Sequence, residues 1–212
     1  MKLFLVRHGE TDWNRKGRFQ GQIDIPLNER GLSQANMTAE RFRGVKLDVV
    51  CASPLSRARV TGETIARAAG CELITDPAFL EICHGDWQGH TADEVTSLFG
   101  DQLHQWQTCP DQITMPGQGG ESLEDVRRRA VDGVERLIAG RSNDVLLATH
   151  DAVIKALICH YIHLSFAYYW RVKVPNCSVS YIEFTPSGPQ LGLMGDISHL
   201  HSGFDSFVSK SL

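Results

Sequence analysis

Several absences in this 212-residue chain limit what it can do before any motif is read. No apolar run is long enough to cross a bilayer, so no transmembrane helix is expected. The six cysteines (Cys51, Cys71, Cys83, Cys109, Cys159, Cys177) include no CxxC pair, which argues against a zinc site. The N-terminus reaches a charged Arg7-His8 pair too soon for a signal peptide, so a cytoplasmic protein with reduced thiols is expected. A net charge of −4 leaves no broad basic surface for nucleic acid. Finally, no Lys or Arg occurs between Ala68 and Val126, and the carboxylates of that span run from Glu72 to Asp125.

What remains is 42% hydrophobic and 22% charged, the balance of an ordinary globular chain, and 1–212 reads as one domain. Lys2–Arg7, Asp48–Ser53 and Asp144–Thr149 are short β-prone apolar runs, as expected of strands buried on both faces. Glu72–Thr75 is a further candidate strand, and Ser178–Phe184 with Gln190–Met194 reads as a hairpin around Thr185-Pro-Ser-Gly188. Helical spacing covers Leu32–Phe42, Leu55–Ala69 and Ala152–Ile162, and Ser122–Ala139 opens with a Ser122-x-x-Asp125 capping box. Strands alternating with helices predict a three-layer α/β/α sandwich with a mainly parallel central sheet. The stretch 79–120, weakly periodic and rich in Gly and Pro, predicts an insertion lying over the active site as a lid.

The chemistry lies at strand ends. The first strand delivers VRHGE, the second leads through Ser53-Pro54 to Arg57, and the third ends at His150. Ligands of open parallel sheets collect beyond the carboxyl ends of the strands. If these strands are neighbours, two arginines and two histidines converge, and such a cluster repels itself unless a dianion joins it. A phosphate monoester fits, because guanidinium forks match its oxygens. The helix N-termini after Ser53-Pro54 and after His150 are expected to aim amides at the same point. Either both histidines bind phosphate, or a neutral His8 attacks phosphorus while His150, as imidazolium, stabilises the transferring oxygens. Gly9 would let the bound group approach without a clashing Cβ. Arginines and histidine would supply the charge, so neither metal nor cofactor is expected.

LVRHGET, ASPLSRARVTGETIA, FLEICHGDWQG and ATHDAVIKAL resemble the signatures of the histidine phosphatase superfamily, the phosphoglycerate-mutase-like family, from Lys2 to about Trp170. The resemblance implies that His8 is the phosphorylated nucleophile and that Arg7, Arg57 and His150 form the phosphate pocket. It implies that Asn14 belongs to that pocket and that Gln20 and Gly21 line the substrate side. Glu81, before Gly85-Asp-Trp87-Gln-Gly89, matches the residue that protonates the leaving oxygen and then activates water; Asp86 and Glu121 are the rival acids. One departure stands out: Asp151 follows His150 where the family usually has a small residue. A carboxylate there is tolerable if it turns away to cap the next helix, leaving its amide to the phosphate.

The span without cations is poor at holding a second phosphate, so a hydrolase is favoured over a mutase. Glu81-Ile-Cys-His-Gly and the tail Ile197-Ser-His-Leu200 resemble the metal-independent phosphoserine phosphatases. His84 could hydrogen-bond a substrate carboxylate, with the acidic lid suiting an ammonium group; alternatively it packs on Trp87. L-phosphoserine is the expected substrate. A sugar phosphate or α-ribazole phosphate, a phosphoglycerate mutase, and an idle phospho-ligand binder are the other readings. Trp87 and Phe99 are expected to pack, His160, His163, His199 and His201 to be structural rather than metal ligands, and Arg127–Arg129 to form a solvated helix face. A small phosphorylated metabolite is the expected partner, and relatives suggest a homodimer, with Tyr168-Tyr-Trp170 beside the hairpin edge.

Overall fold

The computed structural model describes residues 1–200. The expected apolar runs form β1 (Lys2–Arg7), β2 (Leu47–Ala52), β3 (Leu73–Thr75) and β4 (Asp144–Thr149), and the hairpin forms β5 (Val179–Thr185) and β6 (Gly188–Asp196). The sheet order is β3-β2-β4-β1-β5-β6. The β3-β2-β4-β1 neighbours pair in parallel, and β5 and β6 add antiparallel pairs at one edge. The helices are α1 (Asp12–Lys16), α2 (Glu29–Arg41), α3 (Ser56–Ala69), α4 (Ala92–Thr108), α5 (Leu123–Ile138) and α6 (Asp151–Tyr161).

The strands read as unbroken apolar runs because both faces of the sheet are covered. Leu3, Leu5, Val49, Cys51, Val145 and Leu147 pack into one core with α5 and α6. Alternate residues Val6, Val50, Ala52, Leu146 and Ala148 pack into a second with α2 and α3. This is the three-layer sandwich expected. Ser122 and Asp125 exchange the reciprocal bonds of a capping box at the start of α5. No two cysteines are joined, and among the described residues no helix is long and apolar enough to cross a membrane.

The stretch 79–120 is more regular than its composition suggests. It contains α4, opened by a Thr91–Glu94 capping box and broken at Phe99, whose φ of −138° and ψ of 35° are not helical. Only Val95, Leu103 and Trp106 of α4 are buried, a sparse apolar stripe interrupted by the kink. Trp87 is in the core and Phe99 packs against it, both as expected. Tyr169 is core as well, whereas Tyr168 is exposed.

Candidate active site

Register makes the site. In the β1–β4 ladder Arg7 lies opposite Thr149, and the His8 amide donates to the Thr149 carbonyl at 2.9 Å. The next residue on each strand is a histidine, and the His8 and His150 rings sit 5.2 Å apart. β2 flanks β4 on its other side, so Arg57, the second residue of α3, reaches the same pocket. Its guanidinium is fully buried and fixed by bonds to the Gly21 and Ile23 carbonyls, at 2.7 and 2.8 Å. Arg7 donates to the Val174 carbonyl at 2.7 Å. The recess is lined by Arg7, His8, Asn14, Arg18, Phe19, Gln20, Gly21, Arg57, Glu81, Ile82, His84, Asp151, Ala152 and Tyr169. His150 lies behind His8, bonded through Nε2 to the Ser53 hydroxyl at 2.8 Å.

The tautomer of His8 follows from its partner. Nδ1 is 2.7 Å from the Gly9 carbonyl, which can only accept, so Nδ1 carries the proton and Nε2 the lone pair. Burial, then Arg57 and Arg7, hold the proton affinity of His8 well below the ordinary value. Burial, then Arg57 and His8, do the same to His150. In the protein alone His150 is therefore held toward the neutral ring; its expected imidazolium form concerns the transition state. Burial lowers Arg57 to about 10, which leaves it cationic at neutral pH.

Glu81 lies at the pocket wall with its carboxyl raised above the usual carboxylate range, first by burial and then by the Asp151 charge. Its Oε1 accepts from the Ile82 amide at 2.9 Å. The loop carrying it is clamped by Arg129, which donates to the carbonyls of Ala78, Leu80 and Glu81 at 2.6–3.1 Å. The same guanidinium forks onto Glu121, and Glu121 accepts from the Cys83 amide at 2.9 Å. Arg129 is therefore no solvated helix charge; a contiguous triplet of arginines hides which one turns inward. Of the rival acids, Glu121 is committed to this clamp and Asp86 is exposed away from the pocket lining.

Several other expectations need correction. Asp151 does not cap α6: His150 is the N-cap, with no side-chain bond to the helix amides, and Asp151 is the first helical residue. Its carboxylate pairs with Lys155 at 2.8 Å, because lysine one turn on is a better partner than backbone amides. Gly9 has a packing role beside the one expected of it. A Cβ there would lie 2.5 Å from the Gly31 carbonyl oxygen, so it permits close packing of β1's end against α2. The α3 N-terminus is only partly available, since the Ser56 amide already donates to Asp24 at 2.8 Å; the α6 N-terminus does face the pocket through Asp151 and Ala152. The acidity of the stretch 79–120 is mostly outside: Asp93, Glu94, Asp101 and Asp111 are exposed, and only Glu81 of that stretch brings a carboxylate to the recess.

His84 packs as one of its readings expects and stands at the pocket as the other requires. It stacks on Trp87 at 16° and meets Phe19 edge-on at 5.0 Å, yet it lines the pocket and its buried Nδ1 has no hydrogen-bond partner. Burial pulls it down to about 4, so it is a neutral ring. Asn14 Oδ1 accepts from the Thr11 amide, and Gln20 Oε1 from the Thr11 hydroxyl at 2.9 Å. Gly21, at φ +51°, turns its carbonyl to Arg57. Asn176 donates to the His8 carbonyl at 3.0 Å, and Tyr169 joins the lining; neither sits in a motif that would have flagged it. His160 contacts Arg127, and His199 contacts Thr38, Arg41 and the Cys177 carbonyl. Among the described residues no group of histidines, cysteines and carboxylates could hold a metal; His201 lies outside them.

Three buried neutral histidines give stability a definite pH dependence. Because the folded proton affinities of His8, His84 and His150 are depressed, the unfolded chain binds more protons below the ordinary value of 6.5. Their stabilisation is complete above that pH and lost as pH falls, at about 1.4 kcal/mol per unit for each ring. Glu81, raised on folding, contributes in the opposite direction and offsets part of one ring. The melting temperature is expected to fall by several degrees from pH 7.5 to 5.5, at roughly 2–4 °C per kcal/mol. A melt that rises on acidification would contradict neutral rings.

Known proteins place this geometry. A sequence profile of the histidine phosphatase superfamily (branch 1) matches residues 3–197. Phosphoserine phosphatase 1 of Hydrogenobacter thermophilus is 34% identical over 183 residues, covering 86% of each chain. A protein named probable phosphoglycerate mutase GpmB, from Enterobacter sp., is 33% identical over 208 residues, covering 94% of this chain and 95% of that one. The solved structure of Bacillus stearothermophilus YhfR superimposes with a TM-score of 0.87 at 30% identity, over 94% of this chain and 98% of the other. The chain belongs to the histidine phosphatase superfamily, in its branch 1.

Proposed function

We propose that the protein hydrolyses small phosphomonoesters through a phosphohistidine at His8, without a metal, and that L-phosphoserine is its substrate. The observation that carries this reading is the neutral His8 ring, its lone pair on Nε2, beside two fixed arginines and a second histidine. Nε2 attacks phosphorus, the ester P–O bond breaks, and the Glu81 carboxyl gives its proton to the departing alkoxide. The Glu81 carboxylate then takes a proton from water as that oxygen attacks phosphorus. The P–N bond breaks, returning neutral His8, protonated Glu81 and inorganic phosphate. Arg7 and Arg57 neutralise the transferring oxygens. A bound dianion offsets the arginine charges that add to burial in keeping His150 neutral, so protonation of His150 belongs to the phosphate-bound state. The Arg129 clamp holds the Glu81 backbone while its carboxyl works.

Phosphoserine is supported by the similarity to a phosphoserine phosphatase and by the unpartnered His84 Nδ1, which as a donor would meet the substrate carboxylate. His84→Ala is expected to raise the KM for phosphoserine about tenfold, the scale of one hydrogen bond to a charged group, and to leave p-nitrophenyl phosphate within a factor of three. Equal losses on both would remove His84 from recognition. One observation favours a mutase: Arg18 is a cation at the pocket lining, although its guanidinium is tied to the Gly89 carbonyl and Glu94. Phosphate release from phosphoserine and from 3-phosphoglycerate in EDTA, with 2-phosphoglycerate assayed in parallel, decides between hydrolysis and phosphoryl return.

A further inference from the structure

A carboxylate in a pocket built for a dianion demands a reason. Asp151 is 7% exposed, and it lines the recess with Glu81, His84 and Tyr169. Its Oδ2 is paired with Lys155 at 2.8 Å and lies 3.5 Å from the Tyr169 hydroxyl. Lys155 is itself 1% exposed, with its ammonium 4.4 Å from the Tyr169 ring centroid and 5.0 Å from that of Trp170. Ion pair and aromatic walls together fix that cation on the side of Oδ2. The other oxygen is treated differently. Oδ1 is ion-paired with Arg7 Nη1 at 3.7 Å, too long for a hydrogen bond, and this buried acceptor receives no hydrogen bond from any donor.

The Asp151–Lys155 pair is thus an oriented dipole, positive end in the aromatic wall and negative end at a pocket otherwise furnished with cations and neutral rings. A phosphate oxygen cannot satisfy Oδ1, since both are acceptors. A donor on the alcohol half of the substrate can, and a cationic donor gains most. His84, whose Nδ1 is also unpartnered, is a neutral ring and cannot balance an ammonium group, and the arginines of the wall repel one. Glu81, needed with its proton to release the alcohol, is poorly placed to hold one.

We propose that Asp151 is a specificity-determining residue: its Oδ1 accepts a hydrogen bond from an ammonium group on the carbon next to the phosphate-bearing one, so the pocket selects phosphomonoesters of β-amino alcohols. The proposal rests on the phosphatase reading of His8 and Glu81. It divides the substrate between two residues, the amine to Asp151 and any carboxylate to His84.

Four substrates separate these terms: phosphoserine carries both groups, O-phosphoethanolamine only the amine, 3-phosphoglycerate a hydroxyl in place of the amine, and propyl phosphate a methyl in its place. The wild-type protein should prefer O-phosphoethanolamine to propyl phosphate by about tenfold or more in kcat/KM, the scale of a charge-assisted hydrogen bond. Asp151→Asn should erase that preference and reduce the preference for phosphoserine over 3-phosphoglycerate by a similar factor. The readout is the ratio between substrates and not the rate on any one of them, because Asp151 also raises Glu81 and its loss acts on the proton that all four leaving groups need. Because Asp151→Asn strands the buried Lys155 charge, the paired variant Asp151→Asn/Lys155→Met is the companion, removing both charges together. An equal loss on all four substrates, or a wild-type protein indifferent between O-phosphoethanolamine and propyl phosphate, overturns the proposal while leaving the phosphatase reading intact. Failure of that reading shows differently: none of the four is hydrolysed.

Discussion

Replacing His8 with alanine is expected to cut turnover of every phosphomonoester by at least about a thousandfold, the scale on which removing an enzyme's nucleophile acts. The ring sits at the end of β1, its backbone amide bonded to Thr149 and its carbonyl to Asn176, so the ladder that positions the pocket survives the substitution. Arg7 and Arg57 are held by backbone carbonyls and do not depend on the ring. The variant should therefore still bind inorganic phosphate or orthovanadate, and its melting temperature should still rise with either. Rapid acid-free quenching of the wild-type protein with labelled phosphoserine should capture one base-stable, acid-labile phosphoryl group per chain, absent from His8→Ala. Bound vanadate with no phosphoryl group captured in the wild type would turn the pocket into that of a binding protein. Retention of a tenth of the activity by the variant would remove His8 from the chemistry.

That so much of this site was legible from sequence has a physical cause. Strands buried on both faces leave long apolar signatures, and polar residues that end such runs have nowhere to go but the rim of the sheet. Hence Arg7, His8 and His150 could be placed before their neighbours were known, needing only that β4 lie between β1 and β2. Residues that act through single long-range bonds leave no comparable trace. Arg129 is one of three consecutive arginines, and its inward turn is set by the carbonyls of a loop about fifty residues earlier. Tyr169 lies in a short 3-10 turn without motif or period. The helix α4 was obscured because its apolar stripe is thin and Phe99 breaks the turn. Asp151 was recognised as anomalous, but the expectation that it caps its helix failed because Lys155 competes from one turn away; spacing along a helix was the signal available and unused.

Glu81→Gln is expected to slow phosphoserine hydrolysis by about 10²–10⁴-fold, the range of general acid–base catalysis. It should also change which step is slow according to the leaving group. Glutamine keeps the oxygen that accepts from the Ile82 amide, and the Arg129 and Gln22 bonds to the residue 81 carbonyl are untouched, so the loop should keep its course. What is lost is a removable proton. Phosphoserine expels an alkoxide and needs that proton in the first step, so its phosphoenzyme should not accumulate. p-Nitrophenyl phosphate expels a stable phenolate and can phosphorylate His8 unaided. The variant should then stall, releasing one equivalent of nitrophenol in a burst and turning over slowly afterwards. The pH profile gives an independent reading. With Glu81 raised by burial and by Asp151, the wild-type kcat/KM for phosphoserine should decline on an alkaline limb set by loss of the Glu81 proton, above the ordinary carboxylate range. Asp151→Asn removes one of the two raising influences, so its limb should move to lower pH; Glu81→Gln should have no such limb. If Glu81→Gln leaves both the burst and the alkaline limb as in the wild type, the proton comes from another group, and the burial and clamping of Glu81 are structural.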